Sequence, residues 1–127
     1  MKSKAKGIRR LIDAALYSVA GIRAAWRNEE AFRIEAIAGV FLVPAAFYIA
    51  RSTVELALLV GTCLIVLMTE LVNSAIETIV DRIGNEYHEL SGRAKDIGSA
   101  AVFISIIMLL FVWGAIILDR CRMSAQM

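Results

Sequence analysis

Apolar residues recur at helical spacing in the first part of the chain and then form three long runs. The apolar positions from Ile8 to Trp26 fall three or four residues apart, which predicts an amphipathic helix over residues 7–27. The later runs predict transmembrane helices at residues 31–50, 54–82 and 96–119, because each can cross a bilayer as a helix. The pattern therefore predicts a single-domain, all-α membrane protein over residues 1–127, a bundle of one surface helix and three transmembrane helices.

Two of these elements leave an alternative open. The first run is uncharged only from Ala36 to Ala50, so it could also be a re-entrant or interfacial segment. The first helix places basic residues such as Arg10 and Arg23 largely off its apolar stripe. This is typical of a helix that lies on an anionic membrane surface, and packing against another protein is the alternative.

The composition excludes an ordinary soluble domain, since 59% of the residues are hydrophobic. The basic start of the chain, Met1–Lys6, is not followed by the short apolar region and cleavage site of a signal peptide, so we expect no cleaved leader. Cys63 falls within the second span and Cys121 lies beyond the third, so we expect no disulfide.

The basic residues are distributed unevenly between the two sides of the predicted spans. Eleven of them lie before or at the start of the first span, or from the end of span two to the start of span three: Lys2, Lys4, Lys6, Arg9, Arg10, Arg23, Arg27, Arg33, Arg82, Arg93 and Lys95. Only Arg51, Arg120 and Arg122 lie on the other side. Because loops rich in Lys and Arg stay in the cytoplasm, we expect a cytoplasmic N-terminus and a periplasmic C-terminus.

Two carboxylates interrupt the second apolar run. Glu70 and Glu77 are seven residues apart, so both lie on one face of the predicted helix, with Asn73 and Ser74 between them. An acidic side chain in the bilayer costs roughly 2.5–3.5 kcal/mol on insertion scales, and such residues are commonly functional. Pairing with basic residues of a bundle is the alternative.

The length of the second span separates these carboxylates in depth. The span exceeds the bilayer core, so Glu77 reaches the aqueous interface, level with Glu29, while Glu70 lies deeper, near a lipid hydroxyl group. Mg²⁺ typically binds one or two carboxylates together with substrate phosphates, and a carboxylate partly withdrawn from water suits a general base. Cations for phosphate charge are available from Arg10, Arg93 and Lys95. This layout predicts phosphoryl transfer from a nucleotide to a lipid alcohol, although the chain has no P-loop and no protein-kinase motifs.

A polar segment over residues 83–96 follows the second span. We expect Gly84 and Gly92 to break it, which leaves a connector between spans two and three. Its varied polar side chains, adjacent to the membrane and to the carboxylates, favour a ligand site, and a solvated connector is the alternative.

The polar residues also resemble a known family. The stretches Ala24–Glu35, Glu70–Glu77 and Val80–Asp96 are similar to those of the prokaryotic integral-membrane diacylglycerol kinases. The resemblance extends from about Gly7 to the end of the third span. It departs at Ile34, where the family often has glutamine.

The resemblance implies a homotrimer in the bacterial inner membrane that uses ATP and Mg²⁺ to phosphorylate diacylglycerol to phosphatidic acid, at sites shared between neighbouring subunits. It implies that Glu70 is the general base, that Asn73 supports it and that Glu29 and Glu77 bind the metal. The residues implied for ATP are Arg10, Tyr17, Glu29, Glu77, Glu86, Tyr87, His88, Lys95 and Asp96. The residues implied for the lipid are Arg10, Ala14, Arg23, Trp26, Phe32, Glu35, Glu70, Ser99 and Trp113. Membrane lipids are expected partners, and nucleic acids are not.

Three other functions remain open from the sequence. An undecaprenol kinase would perform the same chemistry on a polyprenyl alcohol, but the Ala31–Glu35 junction and the 86–96 segment look more like the diacylglycerol enzymes. A small ion-coupled transporter would use the intramembrane carboxylates as a proton relay. A membrane interaction protein would use them only for helix pairing.

Overall fold

Four α-helices make up the computed structural model, which describes residues 6–127. They are α1 (Ile8–Asn28), α2 (Glu30–Ile49), α3 (Thr53–Ile83) and α4 (Glu89–Ala125). The last three are long and apolar enough to cross a membrane, as judged by length and composition. The predicted all-α architecture with three such helices is thereby confirmed. Lys2 and Lys4, which entered the charge comparison, lie outside the described residues.

The connection between α3 and α4 is shorter than the sequence suggested. Gly84 ends α3 as expected, but Gly92 lies inside α4, so the expectation that it breaks the segment was wrong. The reason is a helix cap at His88, whose imidazole Nδ1 accepts a hydrogen bond from the Leu90 N–H at 3.1 Å. This cap satisfies an otherwise unpaired donor and starts α4 seven residues before the predicted span.

The α3 helix contacts each of the other three helices. Its contact with α4 is the most extensive, its contact with α2 is smaller, and α1 touches α2 and α3 only locally. A hydrophobic cluster fills the α2–α3–α4 junction and contains Ala46, Leu59, Cys63, Trp113 and Ile116. Cys63 is buried and Cys121 is exposed, and both are free thiols.

Polar contacts close the end of the bundle at which α2 passes into α3; this end is called the far end below. The Ser52 hydroxyl caps α3 by accepting a hydrogen bond from the Glu55 N–H at 3.1 Å. Arg120 of α4 donates to the carbonyl oxygens of Tyr48 and Ile49, each at 2.8 Å, and so satisfies carbonyls at the C-terminus of α2. The opposite end, which carries Glu29 and Glu77, is called the site end.

Large apolar side chains cover much of the outer surface of the helices. Phe41 and Tyr48 of α2 are 73% and 78% exposed, and Phe111 of α4 is 75% exposed. Soluble monomers rarely expose apolar surface on this scale. These faces fit a bundle whose surroundings are lipid or further protein.

Candidate active site

Four polar residues follow one another along a single face of α3. Glu70, Asn73 and Ser74 are buried, and Glu77 is half-buried. Asn73 Nδ2 donates a hydrogen bond to Glu77 Oε1 at 3.3 Å. The Asn73 amide therefore contacts Glu77, whereas the family resemblance implies that Asn73 supports Glu70.

Acidic side chains from α2 and from the α1–α2 junction lie within electrostatic range of this face. The carboxylates of Glu29 and Glu77 both lie within electrostatic range of Glu70, as does that of Glu35. Glu35 Oε2 is buried and has no hydrogen-bond partner within residues 6–127. Because carboxylates repel one another, this arrangement favours a bound cation.

A metal site formed by the chain alone is not evident. Within residues 6–127 no group of three or more His, Cys, Asp or Glu side chains could hold a metal ion. The two predicted ligands, Glu29 and Glu77, nevertheless supply the hard oxygen donors that Mg²⁺ prefers. The Asn73 amide fixes Glu77, as residues behind a metal ligand commonly do.

The position of Glu29 depends on a sharp break between α1 and α2. Glu29 has extended backbone angles, φ −118° and ψ 108°, and is the only residue between the two helices. Arg33 Nη1 donates to the carbonyl oxygens of Trp26 at 2.8 Å and Arg27 at 3.3 Å. Sequence reasoning missed this role of Arg33. Its signal is a basic residue in the first turn of a helix that directly follows the end of another.

A cleft of about 530 Å³ separates the C-terminal half of α1 from α3. Its polar lining comes from Ser18, Asn28, Glu29, Ser74 and Thr78. The hydroxyl Oγ of Ser74 is buried without a hydrogen-bond partner in the described part of the chain. The cleft therefore leads from the α1 surface towards the carboxylate face.

Four of the residues expected to bind ATP, Glu86, Tyr87, His88 and Asp96, are exposed in or after the connection from α3 to α4. Glu86, Tyr87 and His88 line an open hollow of about 760 Å³ in the connection from α3 to α4, where Tyr87 is 91% exposed and His88 also caps α4. Asp96 of α4 is exposed. Its neighbour Lys95 is the predicted cation for the phosphates, and its Nζ lies 2.7 Å from Oδ1 of Asp81 in α3.

The two expected ATP residues of α1 are spread along that helix. Arg10 and Tyr17 are both exposed. At the rise of an α-helix, Arg10 lies about 28 Å along α1 from Glu29. Within one copy of the chain, Arg10 therefore lies most of the length of α1 away from Glu29.

The residues expected to contact lipid occupy three different places. Ala14, Arg23 and Trp26 are exposed on α1, and the last two line a shallow groove of about 340 Å³. Phe32 is buried beside the α1–α2 junction, and Ser99 is exposed on α4. Trp113 is buried in the far-end cluster, about 21 Å along α4 from Ser99.

Comparisons with known proteins identify the family. The family described as prokaryotic diacylglycerol kinase matches residues 16–117. A diacylglycerol kinase of Escherichia coli strain K12 is 50% identical over 113 residues, 89% of this chain and 93% of the relative. A diacylglycerol kinase of Haemophilus influenzae is 46% identical over 114 residues, 90% of this chain and 97% of the relative. One of Helicobacter pylori strain 26695 is 42% identical over 115 residues, 91% of this chain and 90% of the relative.

The matched region contains every element that builds the carboxylate face. It includes the second half of α1, the break at Glu29, all of α2 and α3, and α4 as far as residue 117. The resemblance found in the sequence is thereby confirmed, and the chain belongs to the prokaryotic diacylglycerol kinase family.

Proposed function

We propose that this chain is a membrane diacylglycerol kinase, which transfers the γ-phosphoryl group of ATP to diacylglycerol and forms phosphatidic acid. In this reaction the lipid hydroxyl oxygen bonds to the γ-phosphorus, and the bond from that phosphorus to the oxygen of ADP breaks. The hydroxyl proton passes to a base. The observation that supports the proposal best is the graded burial of Glu70 and Glu77 on one face of α3.

Glu70 is the proposed base. Its side chain is 5% exposed, so water does not compete for it, and a lipid hydroxyl that enters from the bilayer can donate to it.

Glu77 and Glu29 are the proposed ligands of a Mg²⁺ ion that arrives with ATP. When bound, the ion neutralises phosphate charge and orients the γ-phosphoryl group. The chain contributes the two carboxylates, the extended backbone that presents Glu29 and the Asn73 amide that orients Glu77. Phosphate oxygens and water would supply the other ligands, as is usual for this ion.

The remaining expected ATP residues form the mouth of the proposed site. Lys95 supplies a cation for the phosphates once it turns from Asp81, to which it is bound at 2.7 Å. Glu86, Tyr87 and His88 line the open hollow, and together with the exposed Asp96 they are proposed to hold the nucleoside.

The α1 helix is proposed to lie on the cytoplasmic membrane surface, with the C-terminus of the chain in the periplasm. Its exposed apolar side chains include Leu11, Leu16 and Ile22, which would insert between lipid headgroups. The cleft between α1 and α3 would then open to lipid that diffuses in the bilayer.

A homotrimer is the proposed assembly. Arg10 lies about 28 Å along α1 from Glu29, so it contributes to phosphate binding only if it reaches the site of a neighbouring copy. The exposed apolar faces of α2 and α4 supply surface for such contacts. Three copies would share three sites.

The decisive experiment measures transfer of radiolabelled phosphate from ATP to lipid by the purified full chain in mixed micelles. We expect phosphatidic acid from diacylglycerol and a slower reaction with undecaprenol in the same preparation. Faster phosphorylation of undecaprenol would contradict the proposed substrate. Absence of labelled product from either lipid, by protein whose melting transition shows that it is folded, would contradict a lipid kinase altogether.

A further inference from the structure

Gly98 of α4 lies directly against Asn73 of α3. It is buried, and a Cβ atom built on it would overlap Asn73 Oδ1 and lie 3.3 Å from Asn73 Cγ. The next neighbour is Ile76 Cδ1 at 3.7 Å, which is an ordinary van der Waals distance. Asn73 is therefore the residue that leaves no room for a side chain at Gly98.

The other glycines of the chain do not show this crowding. A Cβ built on Gly114, also in α4, has no atom within 4 Å, and one built on Gly92 meets only the Tyr87 ring at 4.0 Å. Gly98 is not required by its own backbone either, because its φ is not in the positive region. The requirement for glycine comes from the opposite helix.

Asn73 is held on both sides. Its Nδ2 donates to Glu77 Oε1 at 3.3 Å, while its Oδ1 faces Gly98 and has no hydrogen-bond partner in residues 6–127. The side chain is 8% exposed, so it has little freedom to move without losing one of these contacts.

We propose that Gly98 is a positioning residue, whose lack of a side chain lets the Asn73 amide take the orientation in which it donates to Glu77. A methyl group at position 98 would meet the end of the Asn73 side chain, and rotation of that side chain relieves the overlap more easily than movement of two helices. The rotation breaks the hydrogen bond to Glu77. The kinetic part of this proposal rests on the proposed role of Glu77 in binding Mg²⁺ and ATP, whereas the contact itself does not.

The test compares wild type with Gly98→Ala, Asn73→Ala and the double variant in the phosphorylation assay. We expect Gly98→Ala to raise the KM for Mg·ATP about 10-fold or more, the effect usual for loss of a group behind a metal ligand. The KM for diacylglycerol stays within about 2-fold, and in the Asn73→Ala background the added Gly98→Ala changes either constant by less than about 2-fold. Gly114→Ala is the matched control, because it adds the same methyl group to α4 in open space.

Several results would overturn the proposal. An equal effect of Gly98→Ala with and without Asn73 would mean that the glycine serves helix packing alone. A rise in the lipid KM without a rise in the nucleotide KM would place its effect elsewhere. Kinetic constants in Gly98→Ala equal to those of wild type would show that Gly98 does not position Asn73.

Melting temperatures of the same proteins in detergent separate this inference from the proposed function. Gly98→Ala should melt below Gly114→Ala when Asn73 is present. When each substitution is added to Asn73→Ala, the two double variants should melt at the same temperature. This comparison decides the contact even if the wild type has no kinase activity. Should Gly98→Ala fail to fold, a folded double variant would still support the contact, and an unfolded one would overturn it.

Discussion

Trp113 Nε1 donates a hydrogen bond to the carbonyl oxygen of Leu59 at 3.2 Å and so joins α4 to α3. The indole ring is 6% exposed and Leu59 is fully buried, so this contact belongs to the hydrophobic cluster near the far end. The same carbonyl also accepts from the Thr62 hydroxyl at 3.0 Å. Trp113 therefore fixes how the two longest helices pack on each other.

Replacement of Trp113 should reduce stability and spare catalysis. Trp113→Phe removes one hydrogen bond and part of the ring volume, and we expect it to lower the free energy of unfolding by about 1–3 kcal/mol. The Leu59 carbonyl keeps another donor, which limits the loss. Unfolding in mixed micelles measures this effect, and Phe111→Leu on the exposed face is the control. A raised KM for diacylglycerol with unchanged stability would instead support the lipid contact that the family resemblance implies.

Arg51 should stabilise the far end through a shared ion pair. It binds Glu55 of α3 at 2.8 Å and also Asp119 of α4, and these hydrogen bonds raise the pKa of its guanidinium above the usual range. We expect Arg51→Gln to lower the melting temperature, and the effect to shrink at high salt because the groups are partly exposed to solvent. Asp119→Asn should lower the melting temperature less when it is added to Arg51→Gln than when it is made in wild type. Equal costs in both backgrounds would show that the pair does not couple.

Arg33 should control the mobility of the α1–α2 junction. Without its guanidinium the carbonyls of Trp26 and Arg27 lose their donor, so Arg33→Met should speed hydrogen exchange at residues 28–31. Because Glu29 lies in this segment, kinase activity should fall as well. Arg27→Met, an exposed position in the last turn of α1, is the control for loss of a charge. Unchanged exchange in Arg33→Met would show that the break at Glu29 is held by other contacts.

The apolar pattern was sufficient to predict the helices, because α1 shows helical spacing and the other three contain apolar runs long enough to cross a bilayer. The start of α4 could not be read in this way, since a cap formed by His88 carries the helix through polar residues and Gly92. The acidic residues of α3 could be found because carboxylates are rare in apolar runs. The Gly98–Asn73 contact could not, because nothing in the sequence indicates which residue of another helix faces a glycine.

Glu77 should determine the Mg²⁺ concentration that phosphorylation requires. We expect chelation with EDTA to stop phosphorylation and added Mg²⁺ to restore it. In Glu77→Gln the Mg²⁺ concentration for half-maximal rate should rise about 10- to 100-fold, because a neutral amide is a weaker ligand than a carboxylate. Glu55→Gln, an acidic residue at the far end, should leave this concentration unchanged. A normal Mg²⁺ requirement in Glu77→Gln would remove that residue from the metal site.

Glu70 should affect the chemical step and not the affinity for the metal. Glu70→Gln keeps the size and burial of the side chain but cannot accept the hydroxyl proton, so we expect kcat to fall about 10²- to 10⁴-fold. The melting temperature should be preserved or raised, because removal of one charge relieves repulsion among Glu29, Glu70 and Glu77. The Mg²⁺ requirement of the residual activity should match that of wild type, which distinguishes this variant from Glu77→Gln. An active Glu70→Gln enzyme would assign the proton transfer to another group. Glu35, which lies within electrostatic range of Glu70 and has one oxygen without a hydrogen-bond partner in residues 6–127, would then be the first residue to replace.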